Sequence, residues 1–186
     1  LSSARKAHGD AVGVNMQGWI NFYEMIGGAA ATLLGLLFVS VSLNADVILG
    51  PTHRHSKRLA EQAFQNYLCV LLVSLLVAFP GMSLTALGQS MLWTTTIWGA
   101  WVVLRMYQVV TGDASGESRV RSLRRYLPTL LGFGALVYAA SRMTLRQGDY
   151  TDYVAIGTIL LLIAATVVSW ELLIRVAEEK FAARKD

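Results

Sequence analysis

Three ionisable side chains stand out at depth within apolar stretches of the chain: Glu24, Arg105 and Glu171. A charge at membrane depth is costly to bury, so such residues mark ion paths, gates, or the ion pairs that neutralise them. Arg175 follows Glu171 by four residues, the spacing of a pair on one helix face. Arg105 lies at a similar depth to Glu171, and a cross-helix pair between them is the second reading. With Thr32 and Ser40, these three form a candidate set of gating or pore-lining polar residues. Gly27, Ala31 and Gly35 repeat every four residues, with Gly28 alongside. Such a stripe lets another helix approach closely, either within one subunit or between subunits of an oligomer.

Other chemistry is thinly represented. His53-Arg54-His55 offers two imidazoles with no cysteine nearby, a weak ligand set, so no metal site and no cofactor is expected. Cys69 is the only cysteine, which excludes an intrachain disulfide and reads as a small apolar residue. The chain has no nucleophile elbow, phosphate-binding loop or zinc-protease helix motif, and an enzyme is not expected. Gln62, Gln65 and Asn66 form an amide cluster of the kind that joins neighbouring helices in lipid. Thr94, Trp98, Trp101, Arg105 and Gln108 recur at helical spacing, as a packing face or as the wetted wall of a path.

These residues sit on five apolar runs, at about 18–43, 60–79, 83–110, 126–143 and 153–176. A spanning helix needs about 20 mainly apolar residues, and the runs lack the alternation of a membrane barrel. The fold class is therefore all-α, a polytopic integral membrane protein with about five transmembrane helices. Pro80-Gly81 predicts the turn between the second and third helices. A break at Gly88-Gln89-Ser90, with Pro80 kinking a longer second helix, is the alternative. Composition agrees: 54% of residues are hydrophobic and 15% charged, against about 45–50% and about 25% in soluble domains. Residues 1–17 read as a polar tail outside the membrane, 18–177 as the helical domain and 178–186 as a charged tail. The first apolar run is too long for the core of a signal peptide.

The net charge is +4, and the basic residues sit in short loops rather than on an element that could read nucleic acid. Arg54, Lys57, Arg58, Arg105, Arg119, Arg121, Arg124, Arg125, Arg175, Lys180, Arg184 and Lys185 fall at one end of an up-and-down bundle. Arg5, Lys6, Arg142 and Arg146 fall at the other. The positive-inside rule then puts the N-terminus outside and the C-terminus in the cytoplasm. The basic loops meet anionic lipid headgroups, with a nucleotide, nucleic acid or acidic partner as the lesser reading.

The segment from Gly28-Ala29-Ala30-Ala31 through Gly35-Leu36-Leu37-Phe38-Val39-Ser40-Val41-Ser42-Leu43 resembles the first helix of a family of small bacterial membrane proteins labelled modulators of FtsH protease. Pro80-Gly81 followed by Ala86-Leu87-Gly88 resembles that family's second turn and third-helix start, and Trp170-Glu171-Leu172-Leu173-Ile174 resembles its last helix. The tail before Trp19 is longer than the family's pattern, which suggests an added cap or lid. The resemblance implies five helices in a bacterial inner membrane. Two functions follow as expectations. One is a homo-oligomeric pore or ion channel, by analogy a membrane effector of a bacterial defence system. The other is a non-conducting regulatory partner of a membrane protease or other complex.

The topology has a direct check. A reporter that works only in the cytoplasm is expected to be active when fused beside Lys57 and silent in the Pro80-Gly81 turn. Activity in that turn would overturn the orientation.

Overall fold

The computed structural model describes the backbone of residues 2–48, 54–111, 116–145 and 150–183. Side chains are described for 18–46, 48, 56–108, 126–145 and 150–181. The described chain is all-helical. Five long helices, α1 (Ser2–Leu43), α3 (Arg54–Ala78), α4 (Leu84–Thr111), α5 (Gly116–Thr144) and α6 (Thr151–Ala183), accompany a single-turn helix, α2 (Ala45–Ile48).

Helix boundaries follow local chemistry. No proline interrupts residues 2–48, and α1 runs unbroken from Ser2, so the polar tail continues the helix of the first apolar run. Ala4, Arg5, Lys6 and Ala7 are good helix formers, which favours that continuation. At the far end of α1 the Asn44 side-chain amide donates to the Ser40 carbonyl at 2.7 Å. Asn44 N also donates to Val41 O at 3.3 Å, and the chain turns into α2.

Pro80-Gly81 makes the turn between α3 and α4, with Gly81 at φ +79°, a conformation that favours glycine. Ser83 caps α4 by accepting a hydrogen bond from Ala86 N at 3.3 Å. Gly88 therefore lies inside α4, and the alternative break at 88–90 does not form. Helix α5 begins ten residues before the fourth apolar run and carries the basic segment 119–125 within it. The charged C-terminal segment as far as Ala183 belongs to α6.

Successive long helices run antiparallel. α1 packs on α3, α3 on α6, α6 on α5 and α5 on α4, while α3 and α4 touch only sparsely. Glycines set the closest crossings. A Cβ on Gly27 of α1 would come within 2.9 Å of Ser74 Cβ on α3. One on Gly88 of α4 would meet Met143 and Thr144 of α5 at 2.9 Å. Gly132 of α5 and Gly157 of α6 face each other, each presenting its carbonyl oxygen within 3.2 Å of the other's Cβ position. Buried Thr95 and Thr158 return their hydroxyls to carbonyls of their own helices, Met91 and Val154, at 2.7 and 2.9 Å.

The outer surface is apolar. Trp93, Phe38, Trp170 and Leu131 are all more than half exposed, with many other large hydrophobic residues. Water would not tolerate so continuous an apolar surface on a monomer, whereas lipid favours it. Among the described residues, the segments 18–43, 56–78 and 151–181 are long and apolar enough to cross a membrane. The protein is a membrane protein of helical class. α4 and α5 are also long, but threonines, Gln89 and Arg105 dilute α4, and Pro128 and Arg142 interrupt the apolar character of α5.

The crossings predict an asymmetry between glycines. Gly157→Val should lower stability by about 1–3 kcal/mol through overpacking, read by denaturant titration in mixed micelles. Gly134→Val, at a position with no atom within 4 Å of a Cβ, should change stability little.

Candidate functional site

The sparse contact between α3 and α4 leaves a polar cleft at the bundle end that carries most of the basic residues. On α3, Arg58, Glu61, Gln62 and Gln65 line it, a spacing of three and four that keeps all of them on one side of the helix. Trp101, Arg105 and Gln108 line it from α4 by the same periodicity, with Val102 at the floor. Tyr126 of α5 closes the third side. Its enclosed space is only about 30 Å³, and the mouth opens outward from it.

A salt bridge spans the mouth: Arg105 Nη2 lies 3.3 Å from Glu61 Oε2. The Arg105 guanidinium also sits 5.0 Å from the centre of the Trp101 ring, a cation–π contact. Behind this pair lies Gln62, only 6% exposed, with neither amide atom hydrogen-bonded among the described residues. One turn deeper, fully buried Asn66 donates to Thr129 Oγ1 of α5 at 3.1 Å, and its carbonyl oxygen has no partner. A buried polar group left unpaired costs about 1–3 kcal/mol, so the polarity of this column is unusual for a helix-packing surface. It is suited to water or to a ligand that both donates and accepts.

The candidate residues do not converge. Arg105 pairs with Glu61 and not with Glu171, because α4 and α6 lie diagonally across the bundle, separated by α3 and α5. Glu171 Oε1 instead accepts from Arg175 Nη2 at 3.2 Å and from Nε at 3.4 Å, the in-helix pair. Ser40 is half-buried in a separate groove between α1 and α6, floored by Tyr67. The Tyr67 hydroxyl there donates to Thr166 Oγ1 at 3.3 Å. Asn66 joins α3 to α5 as the amide cluster suggested, and the lower part of the α4 stripe walls the polar cleft.

Glu24 and Thr32 project from the opposite face of α1, away from α3. There the small-residue stripe divides. Gly27 is buried against Ser74, whereas Gly28, Ala31 and Gly35 are exposed, and no atom approaches within 4 Å of a Cβ on Gly28 or Gly35. A period of four advances about 40° beyond a full turn at each step, so the stripe winds off the α3 contact. The exposed residues follow a different repeat: Glu24, Gly28, Ala31, Gly35, Phe38 and Ser42 alternate steps of four and three. That is the spacing of a seam between packed helices. Thr32 returns its hydroxyl to Gly28 O at 2.9 Å, which satisfies it without a neighbouring helix.

Glu61, Tyr126 and Thr129 went unmarked in the sequence. The position of the Pro80-Gly81 turn could have pointed to Glu61, since Glu61 and Arg105 stand at comparable distances on either side of it. Among the described residues no group of three or more His, Cys, Asp or Glu converges on a point that could hold a metal. The His53-Arg54-His55 side chains lie outside the described residues. Comparisons with protein-family models, curated proteins and solved structures return no match to this chain.

The mouth pair is half-exposed, with side chains 38% and 44% accessible, so solvent screens it. A double-mutant cycle of Arg105→Gln and Glu61→Gln should give a coupling of about 1 kcal/mol or less, measured by unfolding in mixed micelles. A coupling several times larger would show that the pair is a principal clamp between α3 and α4.

Proposed function

We propose that the protein is a homo-oligomeric pore or ion channel of a bacterial inner membrane. In this reading all five long helices cross the bilayer, with the N-terminus outside and the C-terminus in the cytoplasm. The observation that carries it is the outward seam of α1. Small residues drive helix association in lipid by letting backbones approach, and among the described residues no atom lies within 4 Å of a Cβ placed at Gly28 or Gly35 of this seam. The interior of the single bundle is filled by Tyr23, Tyr67, Met91, Leu136 and Leu161, so a conducting path belongs between subunits. Closed rings are the usual way for identical chains to bury such a seam.

A ring of α1 helices would bring Glu24 from every subunit around one axis, with Thr32 on the flank of the seam. Rings of carboxylates favour cations. Arg105 and Glu171, engaged in ion pairs at the bundle's periphery, serve the integrity of each subunit in this reading rather than conduction. Pore formation would then depend on α1, while α3 to α6 form the frame that holds it.

Mass measurement in detergent and current recording in planar bilayers test the reading together. The wild type should be oligomeric and conducting. Gly28→Leu with Gly35→Leu should fold as a monomer, with association weakened at least about tenfold and conductance lost. Glu24→Gln should assemble but lose cation preference. A monomeric, silent wild type would sink the channel, and its co-purification with a larger membrane complex would mark a regulatory partner instead.

A further inference from the structure

The polar cleft between α3, α4 and α5 is lined by none of the residues of the α1 seam, and its chemistry is that of a binding site. We propose that it binds the phosphate of a hydroxyl-bearing phosphate monoanion, such as the phosphoglycerol headgroup of an anionic lipid. The inference does not rest on conduction.

Two guanidinium groups, Arg58 and Arg105, and one carboxylate, Glu61, line the mouth. If these three are ionised, the local balance is one positive charge, which matches a phosphodiester monoanion. Glu61 opposes an anion by itself, but it is engaged by Arg105 at 3.3 Å, and both side chains have enough exposure to reorient. Arginine presents a planar fork of donors that fits phosphate oxygens. Gln108 and Arg58 are exposed at the rim and can close over a bound group.

The second observation is Gln62. It is more than nine-tenths buried, lines the cleft, and has both amide atoms without a partner among the described residues. An amide in that state asks for a ligand with two faces. A phosphate oxygen can accept from Nε2, and a hydroxyl can donate to Oε1. A glycerol headgroup supplies that hydroxyl, and so does dihydrogen phosphate, the inorganic monoanion; both share the chemistry inferred here. Basic pockets between membrane helices commonly hold anionic headgroups in this way.

Full-length protein in detergent is titrated with phosphatidylglycerol, with phosphatidylcholine of the same acyl chains, and separately with inorganic phosphate. Binding is read by native mass spectrometry and by thermal shift. Phosphatidylglycerol, inorganic phosphate or both should bind, and Arg58→Gln and Arg105→Gln should each weaken the complex about tenfold, the loss of one charge-assisted hydrogen bond. Arg175→Gln removes a charge from the same end of the bundle without touching the cleft, and should leave binding unchanged. Gln62→Leu should fold with undiminished thermal stability while losing the ligand-induced shift. The arm that responds identifies the source of the phosphate. Equal binding of the two lipids with no response to phosphate overturns the site. So does equal weakening by Arg175→Gln and the cleft substitutions.

Discussion

Helices surrounded by lipid gain little by hiding one apolar side chain behind another, since the solvent is as apolar as they are. What holds them is close contact, and in this bundle contact is closest where a side chain is missing. Gly27 admits Ser74, Gly88 admits the end of α5, and Gly132 and Gly157 bring the backbones of α5 and α6 together. Three of the four extensive helix pairings carry such a crossing. α3 and α6 pack extensively without such a notch, whereas α3 and α4 stand apart and polar side chains occupy the gap.

That separation accounts for some of the buried polar groups. Tyr67, Thr95, Thr129 and Thr158 are buried in closely packed regions and have found partners in their own or adjoining helices. Gln62, which lines the α3–α4 gap, and one end of Asn66 have not, and neither have Tyr23 Oη of α1 and Ser74 Oγ of α3, among the described residues. Glu61 also lines that gap, so an ion pair between α3 and α4 closes its mouth.

Much of the helical framework was legible in the sequence because hydropathy and turn chemistry are local. The Pro80-Gly81 turn and the Glu171–Arg175 pair needed no knowledge of the rest of the chain. The start of α1 was less visible, since a polar stretch can be helical without being apolar. The partner of Arg105 was hidden for another reason: depth alone cannot say which helices are neighbours, and Glu171 stands at the right level on the wrong helix. The division of the glycine stripe depends on the small drift of a four-residue repeat around α1. Only the location of α3 shows which glycine is used inside the chain.

The glycines consequently fall under two different kinds of constraint. Gly132 and Gly157 are constrained jointly by a single molecule: a side chain at either would strike the other helix, in any environment and at any concentration. The single molecule imposes nothing comparable on Gly28 and Gly35. Among descendants of this chain, drift at the first pair would be removed by failure to fold. Persistence of the second pair, while the lipid-facing leucines around it changed freely, would record a history of contact between separate chains.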